Sequence, residues 1–164
     1  MAFGKPIMNE VSDDFTRPAD TTPYSDEDLV ANSTTAGSVA PLVFSIPVGN
    51  GRGVKVVGAR LQKSSASATN ATFSLLLYRS SPVVANGDNL GFSTDTASFI
   101  GTVVFPTMTA FTDDALAVVD LGDVDSIRVY LRATDTIYGL LKAEAAYTPT
   151  SEETFTATLI TEQY

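Results

Sequence analysis

Four stretches of this chain alternate apolar and polar side chains with a period of two, and any fold must satisfy that alternation. Val54–Lys63 sets Lys55, Val57, Ala59, Leu61 and Lys63 against Val54, Val56, Gly58, Arg60 and Gln62. That pattern predicts Val57, Ala59 and Leu61 to face inward. In Ala71–Arg79, Phe73, Leu75 and Leu77 face one way and Leu76 and Tyr78 the other. Ile127–Ala133 opposes Ile127, Val129 and Leu131 to Arg128, Tyr130 and Arg132, and Thr154–Thr161 gathers Phe155, Ala157 and Leu159 on one face. Side chains returning to the same side at every second residue are strand geometry. Val, Thr, Ala and Ser dominate while long helix formers are scarce, which favours pleated surfaces over helices.

Turn formers punctuate these stretches. Gly49-Asn50-Gly51-Arg52-Gly53 ends the apolar run Leu42–Pro47, Ser64–Asn70 is a Ser/Ala loop, and Pro82–Thr96 is a long connection. Phe99–Pro106 is a further strand, while Asp113–Leu121 is ambiguous. Ile137–Tyr147 is mostly apolar, and its Gly139 and Ala143–Ala146 run leave a bulge or a helix open. About eight strands at short spacing predict an all-β chain: a single antiparallel β-sandwich, jelly-roll-like, over residues 41–164. With 164 residues, one domain with a full core is expected. Residues 1–40 hold Pro6, Pro18 and Pro23 and few large apolar side chains, so they are expected as an extended N-terminal arm. A brief strand or turn is expected near Asp28–Val30, with a capped helical turn over Ser25–Asp28 as the alternative. Phe3, Ile7, Val11, Phe15 and Tyr24 would anchor the arm on a surface.

The chemistry open to the chain is narrow. It has no His and no Cys, which removes Ser-His-Asp and Cys-His nucleophiles and zinc sites built on those ligands. No nucleophile elbow, P-loop or dinucleotide fingerprint is present. Carboxylate pairs remain, with Glu144 and Asp113 or Asp114 as candidates for glycosidase-type work, although loop acids are usually turn residues. Calcium takes only oxygen ligands, and Asp120, Asp123 and Asp125 cluster around Gly122 without EF-hand spacing. The competing reading has these aspartates satisfying their own turn. No cofactor is expected. The net charge is −9, and residues 1–40 carry seven acids against Lys5 and Arg17. Such a surface repels a phosphate backbone, so no nucleic-acid partner is expected. No apolar run reaches membrane-spanning length or resembles a signal peptide, so no membrane partner is expected either. The sequons at Asn32 and Asn70 read as chance.

The segment Arg17-Pro18-Ala19-Asp20-Thr21-Thr22-Pro23-Tyr24, followed by Asp28-Leu29-Val30, resembles the opening of tailed-bacteriophage virion proteins. Asp88-Asn89-Leu90-Gly91-Phe92 and Phe99-Ile100-Gly101-Thr102-Val103 echo the same group. One departure is Ser25-Asp26-Glu27, where a small Gly-containing turn is expected. The resemblance implies a non-enzymatic β-rich component resembling capsid decoration or cement proteins. Such a protein would be made in the host bacterial cytoplasm and carried on the outer capsid surface, with the major capsid protein as partner. Icosahedral symmetry makes a homotrimer the expected self-assembly. Candidate capsid or subunit contacts are Phe3, Ile7, Phe15, Arg17, Tyr24, Arg128, Tyr130 and Arg132. The alternative is a carbohydrate-binding jelly roll of a phage appendage, with Tyr78, Tyr130, Tyr138 and Tyr147 available to stack on sugars.

Overall fold

In a computed structural model, described for residues 7–47, 53–122, 125–129 and 136–163, the chain folds into two antiparallel β-sheets packed face to face. The strands are β1 (Ile7–Thr16), β2 (Leu29–Val30), β3 (Leu42–Ser45), β4 (Val54–Lys63), β5 (Phe73–Tyr78) and β6 (Phe99–Val104). They continue as β7 (Thr109–Ala110), β8 (Ala115–Asp120), β9 (Ile127–Val129), β10 (Thr136–Ala143) and β11 (Thr154–Gln163). The described residues thus hold eleven strands where about eight were expected. The eight expected strands correspond to β3–β6 and β8–β11; beyond them stand β2, expected as a brief strand or turn, the two-residue β7, and the ten-residue β1, which falls in the segment expected as an extended arm.

The first sheet runs β1-β11-β4-β8-β7, with β9 sharing the β8 edge of β4; the second runs β2-β10-β5-β6, with β3 sharing the β2 edge of β10. Take β1, β3, β4, β5, β6, β8, β10 and β11 as the main strands in chain order. The first sheet then holds the first, eighth, third and sixth of them, and the second holds the second, seventh, fourth and fifth. That interleaving is the jelly-roll order, in which each strand lies in the opposite sheet from the one before it, except at the central β5–β6 pair.

Between the sheets, Val54, Val56, Ala59, Leu61, Phe155, Ala157 and Leu159 face Phe44, Phe73, Leu75, Leu77, Ile137 and Leu141. The expected inward row on β4 fails at one residue, for a local reason. Ile160 pairs Gly58 but Thr161 pairs Val56, so Val57 is an extra residue opposite no partner. This bulge switches the phase: Val54 and Val56 point inward before it, Ala59 and Leu61 after it, and Val57 is left half-buried. On β10 the helix alternative is overturned, since Thr136–Ala143 is strand throughout. Gly139 packs closely there: a Cβ would lie 2.9 Å from Leu75 Cδ1 and 3.0 Å from Phe44 Cε2, so a larger residue would force those side chains to shift. The ambiguous stretch from Asp113 becomes β8.

Residues 7–40 are part of this framework, so the boundary at residue 40 does not divide the fold. β1 pairs with β11 over its whole length, from Ile7 opposite Gln163 to Thr16 opposite Thr154. Tyr24, Leu29, Val30 and Ala31 are buried. Beyond β2, residues 31–39 and 84–92 cover the outer face of the second sheet. There Leu29 and Ala31 pack with Tyr78 and Leu140, joined by Val39, Val84 and Phe92. The sandwich therefore carries a partial third layer, and the long connection after β5 is one of its two walls.

Candidate functional site

The segments 17–34 and 87–92, far apart in sequence, meet in the fold. Asp88 N–H donates to Ser33 O at 2.7 Å, Asn89 N–H to Leu29 O at 2.9 Å, and Leu29 N–H to Leu90 O at 2.9 Å. Phe92 N–H donates to Glu27 O at 2.7 Å, Asp28 bridges to Gly91, and the Asn89 amide reaches Thr22 O at 3.1 Å. Gly87 permits this approach, because a Cβ on it would lie 1.9 Å from the Thr34 carbonyl oxygen.

At the centre of the join, the Arg17 and Asp88 side chains are wholly enclosed. Arg17 Nη2 lies 3.2 Å from Asp88 Oδ2, and Arg17 Nε donates to the Tyr24 hydroxyl at 2.7 Å. Tyr24 in turn donates to Asp88 Oδ1 at 2.6 Å, and that same oxygen accepts Ala31 N–H at 2.7 Å. Arg17 Nη1 satisfies the Asp20 and Thr150 carbonyls. Every group that burial deprives of water is thus given a partner, the condition for a buried ion pair to be tolerated. Burial and the Asp88 charge push the Tyr24 hydroxyl far above its ordinary range. Asp20, outside the enclosure, is held below the carboxylate range by the Thr22 N–H and the Arg17 charge, which outweigh its slight burial.

A second enclosed pair adjoins the first. Lys63 Nζ donates to Glu153 Oε1 at 2.9 Å and to Ser65 O at 2.7 Å, and Tyr147 donates to Glu153 Oε2 at 2.6 Å. Burial, with the neighbouring Glu153 carboxylate, raises the Tyr147 hydroxyl as well. The two knots are joined by backbone bonds, Arg17 N–H to Glu153 O and Tyr24 N–H to Tyr147 O, and by the near-parallel rings of Tyr24 and Tyr147, 6.3 Å apart. Together they tie the chain after β1 to the start of β11, the end of β4 and the covering layer. The arrangement is a structural clamp, with its acids already engaged by cations and hydroxyls.

The remaining candidates separate. Tyr24 and Arg17 are 1% and 2% exposed, so neither is available to a partner. Phe15 stacks on Phe155 at 5.7 Å and packs against the core, whereas Ile7 and Arg128 are exposed. Phe3, Tyr130, Arg132 and Asp123 lie outside the described residues. Asp120 accepts Gly122 N–H at 2.9 Å, the turn role that competed with calcium binding. Of the carboxylates weighed for catalysis, Asp114 is bonded to Gln62 Nε2 at 2.7 Å and Glu144 to Lys142 at 3.1 Å. Glu144 does approach Asp26 and Glu27, and Lys142 lies within 2.8 Å of Glu27 and so neutralises part of that cluster. Glu27 also explains the departure from the expected Gly-containing turn: its φ is 69°, a left-handed conformation that glycine adopts without steric cost.

Sequence reasoning missed Asp88, Lys63, Glu153 and Tyr147 as partners. One signal was present for Lys63, which continues the inward row of β4 as a charged residue and so calls for a buried counter-charge. Among the described residues, large apolar side chains are exposed at Ile7, Met8, Val43, Val83, Leu90, Phe99, Val104, Phe111 and Val118. Compared with protein-family models and with curated proteins, the chain matches none.

Proposed function

We propose that this chain is a non-enzymatic structural protein of a tailed-phage virion, bound to the outer capsid surface and stabilising the shell by bridging capsid subunits. The observation that carries the reading is the convergence of Arg17–Val30 and Asp88–Phe92 on one buried clamp. Residues far apart in sequence that resemble one protein group are here the residues that hold the same piece of fold. The reading also draws on the acidic balance, which favours an outward face over a DNA-lined interior. A ligand that binds only the assembled lattice stabilises it by mass action, and many weak sites on one shell act together. Copies associate as homotrimers at three-fold positions, so that each trimer spans several capsid subunits.

The carbohydrate-binding alternative is weakened, because Tyr78 and Tyr147, two of its four stacking candidates, are buried. The test is direct. Capsids of the phage that encodes the chain, produced without it, are mixed with the purified protein, pelleted and heated. The proposal expects saturable co-sedimentation and a higher temperature of capsid opening. Protein that stays in the supernatant and leaves the opening temperature unchanged refutes it.

A further inference from the structure

Among the described residues, lysine–carboxylate pairs occur at Lys55, Lys63 and Lys142. In the Lys55 and Lys142 pairs every side chain keeps some contact with solvent, whereas the Lys63 and Glu153 side chains are both 0% exposed. An amine and a carboxyl held together in water stay an ion pair, because hydration favours the charged forms. Enclosure removes that advantage, so that proton transfer to a neutral amine and acid becomes accessible. A neutral pair of this kind can condense to an amide. The other enclosed pair cannot, because the Arg17 guanidinium stays protonated and is no nucleophile.

The surroundings of the pair hold it in position for that reaction. Lys63 Nζ donates to Glu153 Oε1 at 2.9 Å, and its second bond, to Ser65 O at 2.7 Å, keeps the nitrogen against the carboxyl. The Tyr147 hydroxyl lies 2.6 Å from Oε2 and 2.8 Å from Oε1, and Thr150 Oγ1 approaches Oε1 at 3.4 Å. Both backbones are fixed beside the pair, by Arg17 N–H on Glu153 O and Ser64 N–H on Thr154 O, each at 3.0 Å. Phe73 meets the rings of Tyr147 and Phe155 edge-on next to them. Holding two reacting groups in this way spares the entropy that joining separate molecules would lose.

The geometry points to an intramolecular isopeptide bond between Lys63 Nζ and Glu153 Cδ, formed by the folded chain itself from the enclosed ion pair. One Nζ proton passes to Oε1 along the existing hydrogen bond, leaving a neutral amine beside a carboxylic acid. The Nζ lone pair then attacks Cδ, and the charge that develops on Oε2 is met by the Tyr147 hydroxyl. A second Nζ proton moves to Oε1, the Cδ–Oε1 bond breaks, and that oxygen departs as water. The amide keeps one N–H, for which Ser65 O remains the acceptor. The atoms balance without an oxidant or a co-reactant. The bond ties the end of β4 to the start of β11 and closes residues 63–153 into a ring, a covalent staple in a chain without cysteine. The inference is independent of the virion reading.

The intact mass of the full chain, purified folded and then denatured for measurement, tests it together with peptide mapping. The expected mass is one water below that of the sequence, and the loss maps to a branched peptide that joins Lys63 to Glu153. Lys63→Arg keeps the charge without the nucleophile and should show its full sequence mass. A folded chain that retains its full sequence mass after prolonged incubation overturns the proposal. So does a water loss that persists in Lys63→Arg, or one that maps to another site such as a cyclised aspartate.

Discussion

Replacing Asp88 with alanine probes the clamp most sharply. The change removes the carboxylate that, among the described residues, pairs with Arg17 inside the enclosure, and leaves Ala31 N–H and the Tyr24 hydroxyl without their acceptor. Breaking a buried pair by deleting one member costs about 3–5 kcal/mol, because the surviving charge stays buried and uncompensated. Arg17 keeps the Asp20 and Thr150 carbonyls and the Asp20 carboxylate at 3.4 Å, which places the expected loss near the middle of that range, about 4 kcal/mol. For a chain of this size each kcal/mol lowers Tm by about 2–4 °C, so the variant should melt roughly 8–16 °C lower. Calorimetry and urea titration measure the loss, and a double-mutant cycle gives its origin. The double variant Arg17→Met/Asp88→Leu should be more stable than Asp88→Ala, since apolar replacement of both members removes the stranded charge. A loss below about 1 kcal/mol, or a double variant whose loss equals the sum of the two single changes, would refute the clamp as a coupled unit.

Three further outcomes follow from the same geometry. Tyr24 and Tyr147 titrate far above the ordinary tyrosine value of 10.0 while folded, so the unfolded chain loses their protons first. Their stabilising contribution is complete below pH 10 and declines as pH rises toward the folded values, by about 1.4 kcal/mol per pH unit for each tyrosine. Tyrosinate absorbance should therefore show these two rings ionising only with cooperative alkaline unfolding; smooth ionisation near pH 10 in the folded protein would contradict their enclosure. Gly87→Ala should cost at least as much as Asp88→Ala, because the new methyl meets backbone at 1.9 Å; a Tm change under about 2 °C would show that the covering layer can shift. Deleting residues 2–24 removes β1, Arg17 and Tyr24, and the remainder should lack a cooperative melt, whereas a free arm would leave a folded domain that melts normally.

How much of this was legible in the sequence differs from element to element. β5 was clear because its inward row, Phe73, Leu75 and Leu77, is wholly apolar and its other row is covered by a second layer. β1 was hidden because its inward row mixes Val11 and Phe15 with Asn9 and Asp13. Asp13, half-buried, accepts Val43 N–H at 2.7 Å from the opposite sheet, a contact that spacing along the chain does not reveal. A period of two places Val57 inward, because a bulge adds a residue without marking the sequence. The resemblance singled out Arg17 and Tyr24, and spacing suggested contact with a partner. Burial instead joins them to Asp88, paired across a loop of seventy residues. What sequence reasoning lacks in each case is the partner across space, which decides whether a polar side chain is exposed or enclosed.

The central claim, the proposed virion role, is best tested by an electron cryo-microscopy map of the intact phage that, on this proposal, encodes the chain. The account predicts jelly-roll density that fits residues 7–163 on the outer capsid surface, repeated at symmetry-related positions and touching more than one capsid subunit. A map in which this fold occurs only on the tail, only inside the shell, or nowhere on the particle would contradict it.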